Sequence, residues 1–274
     1  MLIVSPLYNN LQHTDHNPRS NVLYTIAPYD GNGDFTPGEF KKMDIAHPND
    51  FYAALSMKAP DGRWIMWGMN IGGSIQGHHW ANHLSLPRVL DIRHDGLLSQ
   101  EPIAELQGLR RKHWGIKNTD LMGDYVLNAN SITCEVIAEI ETGNARQIGL
   151  DMRASDDFGI HNRIYFDVEQ KELYIGKYHV GFELLENEQV LRIHAFVDHG
   201  VMETFVNRRE CGTLRPYNDL NHRAMRLFSN GGTAYIRSVD VWEMSSIDCS
   251  LFHTGFSSSS ISSGTSPVRG SGVR

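Results

Sequence analysis

Hydrophobic and polar positions along this chain alternate with a period of two far more often than they recur at helical spacing. NVLYTIAPY, RWIMWGMN, RIYFDV, ELYIGKY, VLRIHAFVD, VMETFVN and TAYIRSVDVWEM are short, rich in β-branched and aromatic residues, and bounded by Gly, Asp, Asn or Pro. Such segments predict strands whose side chains point alternately to two faces, and the fold class they imply is all-β. DGNGD at 30–34 and PDGR at 60–63 have hairpin-turn chemistry, because glycine supplies the positive φ that tight turns need. One segment departs from the pattern. EPIAELQGLRRKHW, 101–114, spaces its apolar residues over one or two helical turns and reads as a connector with helical character.

The connector separates two textures. Before it lie polar loops carrying His, Asn and Trp, such as NIGGSIQGHHWANH; after it come regular strands at the spacing of a β-sandwich. The expected organisation is a first unit over 1–100, a connector over 101–115, a β-sandwich over 116–246 and a Ser/Gly-rich tail over 247–274. That tail has too little apolar bulk to join a core and is expected to be disordered.

Composition narrows the function classes. The 274 residues are 41% hydrophobic and 21% charged, enough to bury a sizeable core. A formal charge of -7, with basic residues scattered apart from Arg110-Arg111-Lys112, argues against a nucleic-acid partner. No apolar run approaches the roughly 20 residues of a membrane span. MLIVSPLYNN lacks the basic and apolar regions of a signal peptide, which leaves cytoplasmic and secreted placement both open. The cysteines, Cys134, Cys211 and Cys249, are too few and too dispersed for a disulfide framework or a structural zinc site and are expected to be reduced.

Several groupings invite chemistry. His79 and His83 have the i, i+4 spacing of a zinc helix, yet no Glu follows the first and the surrounding Gly, Asn and Trp disfavour a helix. No metal site and no cofactor is expected. Asp30 with Asp34, Asp156-Asp157 and Glu186 with Glu188 sit in turn-like sequence, where acids serve local hydrogen bonds. Glu203, alternating with apolar neighbours in VMETFVN, reads as an outward strand position, with a half-buried acid as the alternative. DFYAALSMKAPDGRWIMWGMN is different: Asp50 stands before two aromatics and a Trp-rich strand follows. A carboxylate that accepts hydroxyl hydrogen bonds, beside rings that lie against C–H groups, is a surface suited to a polyol.

The residues also carry a family resemblance. DFYA, DGRWIMWG and LSLPRVLDIRHDGLLSQEPIAELQGLR, in that order, resemble the last propeller blade and interdomain segment of glycoside hydrolase family 32, the invertases and fructan hydrolases. LRIHAFVDHGVMETFVNRR and RLFSNGGTAYIRSVDVWEM resemble the C-terminal β-sandwich of that family, so the likeness runs from residue 1 to about 245. It implies the last blades of a five-bladed β-propeller over 1–100, joined to the sandwich.

Family members are retaining β-fructofuranosidases that use an Asp nucleophile and a Glu acid/base in the propeller funnel. The resemblance places both upstream of residue 1, because MLIVSP looks like the strand that follows the acid/base segment, and neither Asn-Asp-Pro-Asn nor Arg-Asp-Pro occurs here. No catalytic residue is therefore expected within this chain. What it implies instead is the last wall of the funnel, with Asp50, Tyr52 and Trp67 as substrate-binding residues and Asp44 near an outer subsite. If Phe51 and Ala53 pack between blades, Asp50 and Tyr52 face the funnel and not the sandwich. Departures remain: ALSM follows DFYA where Pro-Gln-Thr/Ser-Phe is usual, and Met69 stands where a second Trp is common. The implied partner is a small carbohydrate, sucrose or a fructan. A non-catalytic carbohydrate-binding protein, or a subunit that completes another chain's propeller, stays open as an alternative.

Overall fold

The computed structural model describes residues 1–5, 22–29, 31–33, 35–71, 82–216 and 219–247. Among the described residues, eighteen strands fall into three antiparallel sheets. The first joins β1 (Leu2–Val4), β2 (Leu23–Thr25) and β3 (Lys41–Lys42). The second has the order β4 (Tyr52–Lys58), β5 (Trp64–Asn70), β7 (Arg88–Ile92), β8 (Leu98–Pro102), with the short β6 (His83–Leu84) on the edge of β5. Between β4 and β5 the PDGR turn closes as its sequence predicts: Gly62 takes φ +93° and its N–H donates to the Ala59 carbonyl at 2.9 Å. Val22, Met43, Phe51, Met66, Leu90 and Leu98 bury a small common core for these two sheets.

The third sheet contains ten strands: β9 (Arg110–Val126), β10 (Thr133–Glu141), β11 (Gln147–Ala154), β12 (Asn162–Asp167), β13 (Glu172–Ile175), β14 (Tyr178–Gly181), β15 (Leu191–Asp198), β16 (Val201–Val206), β17 (Glu210–Leu214) and β18 (Ala224–Met244). The 21-residue β18 makes two layers from one sheet. Its first part pairs with β11, its later part with β10, and β9 runs along its other edge. The change of layer comes at a register shift between Ser229 and Thr233, where Gly231 and Gly232 take φ +68° and +155°. A side chain at Gly232 would meet the Asn144 carbonyl oxygen at 2.3 Å, so only glycine fits this corner. Ile148, Leu150, Met152 and Ile164 of one layer interdigitate with Val136, Ala138, Ile140 and Ile193 of the other, all fully buried.

Two local expectations change. The connector is a 3-10 turn over Ala104–Leu109 only, and Arg110 to Trp114 already belong to β9, paired with Met244 to Val241 of β18. An available strand edge decides against a helix whose apolar spacing covers barely two turns. ELYIGKY is two strands, β13 and β14, because Gly176 takes φ +61° and turns the chain. Of the tail, residues 248–274 lie outside the described residues, as do Asp30, Asp34, His79 and Cys249.

Candidate functional site

The segment from Asp44 to Tyr52 leaves the first sheet, touches the sandwich and enters β4. Its last part is a 3-10 turn over Pro48–Asp50. The His47 Nδ1 accepts the Asn49 N–H at 3.1 Å, and the Asp50 N–H donates to the His47 carbonyl at 2.7 Å. Phe51 then inserts beneath Gly68 of β5, where a Cβ would stand 2.4 Å from its ring. That contact explains the glycine in the Trp-Gly pair. Ala53 follows with φ +46° in a bulge between the Tyr52–Met69 and Leu55–Trp67 pairs. Tyr52 and Trp67 thus stand on the side of the sheet opposite buried Met66, and both are half-buried.

The turn and the bulge break the strict alternation from which Asp50 was expected to face away from the sandwich. Asp50 is 5% exposed, and its Oδ1 lies 2.6 Å from Nε of Arg215, just after β17 of the sandwich. Arg215 Nη1 also donates to the Ile71 carbonyl at 2.8 Å. Burial pushes the Asp50 carboxyl up to about 6, the Arg215 charge pulls it down, and Asp44 pushes in the same direction as burial. Tyr178, on β14, is raised by burial and then by the Asp50 charge. His47 and His83 are lowered, first by burial and next by Arg215. The sandwich side of Asp50 is therefore a polar seam of Arg215, Lys177 and Tyr178.

Asp44 has a different task from the outer subsite expected of it. It is 7% exposed, and both oxygens are occupied inside the junction between the sheets. Oδ1 accepts the N–H groups of Ala46 at 3.1 Å and Thr213 at 3.0 Å; Oδ2 accepts from Arg88 Nη2 at 2.9 Å and the Thr213 hydroxyl at 2.8 Å. Arg88 Nη2 also reaches Glu203 Oε2 at 3.0 Å, and the second Glu203 oxygen accepts the Leu86 N–H at 2.6 Å. The guanidinium, 0% exposed, lies between the rings of Phe51, at 4.0 Å, and Phe205, at 5.2 Å. Burial opposes the Arg88 charge, but Asp44 and Glu203 hold its pKa above the usual value. Burial raises Glu203, against the pull of Arg88.

Glu203 is thus not an outward residue but the sandwich's half of a buried ion cluster. No local pattern reveals this, because its partner is 115 positions away. Arg88, Thr213 and Arg215 likewise carry no local signal of their role; the acid amid apolar neighbours in VMETFVN is the hint the sequence offers. Of the acids expected in turns, Asp157 behaves so: its Oδ1 accepts from the Ser155 hydroxyl and the Gly159 N–H. Glu188 also pairs with Arg209, 21 positions away, at 2.8 Å. The single Glu-Cys pair of the sequence, Glu210–Cys211, lies on β17, where Cys211 is buried against Phe205 and Leu106. Beside the cluster a cavity of about 810 Å³ opens between Leu84, Leu86, Leu106, Phe196 and Met244, with Glu203 in its wall. Among the described residues no three His, Cys, Asp or Glu side chains converge as metal ligands.

Comparison with known proteins gives a consistent picture. Residues 1–102 match the Glycosyl hydrolases family 32 N-terminal domain, and residues 105–243 match Glycosyl hydrolases family 32 C terminal. Raffinose invertase of Escherichia coli is 30% identical over 75% of this chain and 44% of its own length. Sucrose-6-phosphate hydrolase of the same organism is 27% identical over 76% and 44%. The chain thus spans less than half the length of these relatives. Fructan 1-exohydrolase IIa from Cichorium intybus superposes with a TM-score of 0.69 at 19% identity, covering 82% of this chain and 55% of that one. Sucrose-6-phosphate hydrolase from Lactobacillus gasseri gives 0.63 at 20%, covering 82% and 48%. The two smaller sheets are accordingly the last blades of a five-bladed β-propeller, and the ten-stranded unit is its β-sandwich.

Proposed function

This chain belongs to glycoside hydrolase family 32, and on that premise we propose that it forms part of a β-fructofuranosidase-type glycosidase acting on terminal β-fructofuranosides such as sucrose or fructans. The observation that carries the reading is the unbroken succession of the two family domains, meeting at the 3-10 turn over Ala104–Leu109. In such an enzyme a carboxylic acid protonates the leaving sugar oxygen while an Asp forms a fructosyl-enzyme that water then hydrolyses. We assign neither role to a residue of this chain. Its part is the wall of the site: the rings of Tyr52 and Trp67 offer apolar faces to sugar C–H groups, and Asp50 offers an oxygen to a hydroxyl. Asp44, whose two carboxylate oxygens are both occupied within the junction, is not included.

The test is fructose release from sucrose, raffinose and inulin. It is run on the chain alone and on the chain combined with the N-terminal blades of a family 32 relative. No release by the chain alone and measurable release by the combination are expected. Release by the chain alone, in a preparation free of host invertase, would overturn the assignment of chemistry to residues outside it. An inert, well-folded combination would overturn the glycosidase reading.

The exposed Leu55, at 78%, and Met57, at 51%, favour a second reading, a subunit that completes another chain's propeller. Stable capture of the separately expressed N-terminal blades, without any fructose release, would select it.

A further inference from the structure

Family 32 chemistry as proposed above uses the propeller wall, yet in this molecule the sandwich reaches into that wall. The end of β17 holds the segment 44–50 at three points. Thr213 binds Asp44 through both its N–H, at 3.0 Å, and its hydroxyl, at 2.8 Å. The Cys211 carbonyl accepts the Ile45 N–H at 2.8 Å. Arg215 closes the far end with Nε 2.6 Å from Asp50 Oδ1. The same guanidinium fixes a second strand end, because Nη1 donates to the Ile71 carbonyl, while the Ile71 N–H donates to the Asn49 carbonyl at 2.8 Å. Asn70 Nδ2 completes the ring by donating to the Asp50 carbonyl at 3.2 Å.

We propose that Arg215 of the sandwich is a positioning residue of the sugar site: it holds the Asp50 carboxylate and the exit of β5 in one arrangement, so that the remaining Asp50 oxygen can meet a fructosyl hydroxyl. The inference rests on the reading of Asp50 as a sugar contact. It goes further in making the second module a contributor to specificity.

A carboxylate on a 3-10 turn has free rotation about its side-chain bonds unless something holds it. A guanidinium is suited to that task, because its planar fork can take a carboxylate with one edge and a carbonyl with another. Lysine can restore the charge but not the fork. Among the described residues, Arg215 and Lys177 from the sandwich and Asp44 from its own segment act on the Asp50 charge, and Tyr178 of the sandwich is acted on by it. Of these, Arg215 contacts its Oδ1 directly, at 2.6 Å.

The experiment uses the full chain with Arg215→Met, Arg215→Lys and Asp50→Asn. Carbon-detected NMR follows the Asp50 carboxyl through a pH titration, and the Trp67 indole signal follows titration with fructose. Near-UV circular dichroism confirms that each variant is folded.

We expect the Asp50 midpoint to start near 6 and to rise in Arg215→Met, where an attraction to the charged form is lost. Fructose affinity should fall at least about tenfold in Arg215→Met and in Asp50→Asn, the loss of one charge-assisted hydrogen bond. Arg215→Lys should restore the midpoint more completely than the affinity, a separation that a purely structural pair would not produce. Fructose binding that is lost in Asp50→Asn but unchanged in a folded Arg215→Met would overturn the positioning role and leave the sugar reading standing. Binding unaffected by Asp50→Asn, or absent from the unsubstituted chain, would overturn the sugar reading and the positioning role with it, even if the midpoint moved.

Discussion

The sandwich core and the junction beside it are both buried but built from opposite materials. Within the sandwich, Leu150, Ile164, Ile193 and Ile236 are fully buried among other hydrocarbon side chains, and no specific partner is demanded of any of them. At the junction, Arg88, Asp44, Glu203 and Thr213 are also buried, and each depends on a residue from the other module. Hydrocarbon packing tolerates exchange of one apolar side chain for another of similar volume, whereas a buried ion cluster does not tolerate loss of a member, because that leaves the others charged in a low dielectric. The junction therefore specifies how the blades sit on the sandwich, and the sandwich core supplies bulk stability. The two modules are not independent: Ile45 and Ala46 of the first belong to the apolar core of the second.

The sharpest way to break this contrast is Arg88→Met, which keeps volume but strands Asp44 and Glu203 without their cation. We expect a loss of about 3–5 kcal/mol in urea unfolding. Replacing all three charged residues together, as Arg88→Met/Asp44→Asn/Glu203→Gln, should recover part of that loss. If the triple variant is worse than the single by the sum of its parts, the coupling within the cluster is absent.

Leu150→Ala in the sandwich should cost about 3 kcal/mol, from lost transfer energy and the cavity left behind. Unlike the junction variant it should leave contacts across the modules intact. Amide exchange at Ile45, whose N–H donates to the Cys211 carbonyl, distinguishes the two: it should quicken in Arg88→Met well before global unfolding and not in Leu150→Ala.

A smaller effect is expected from pH. The folded Asp50 carboxyl titrates at about 6, above its ordinary value of 3.8, so between these limits the native state holds more proton than the unfolded chain. Stability from this group is full at lower pH and is lost as pH rises through that window. The unsubstituted chain should thus lose stability relative to Asp50→Asn between roughly pH 4 and pH 6, by less than the roughly 3 kcal/mol of the full shift because solvent screens part of it. Parallel curves would show that Asp50 is not burial-shifted.

Least affected should be Leu55→Ser, 78% exposed on the open side of β4, whose unfolding free energy should stay within about 0.5 kcal/mol. Self-association measured by sedimentation should decrease in the same variant, as an exposed apolar side is trimmed.

What the sequence determined by itself is the fold class, most of the strands and the family, because alternation, turn glycines and ordered motifs are local properties. RWIMWGMN is β5 for the reason its pattern states, since every second side chain from Met66 to Asn70 is buried, whereas β15, within VLRIHAFVD, is buried on both faces from Ile193 to Val197. The side of Trp67 on β5 follows from the same periodicity, whereas that of Tyr52 is set by its pairing with Met69 across the bulge at Ala53. Only the tertiary structure decided the partners of Asp44, Asp50 and Glu203. Each of these acids is surrounded in sequence by residues that fit a turn or a solvent-facing strand position equally well. Their burial comes from Arg88, Thr213 and Arg215, which lie 44 to 169 positions from the acids they bind. A hydrogen bond between modules leaves no periodic trace along the chain, since charge and shape complement each other only after both modules have folded and met.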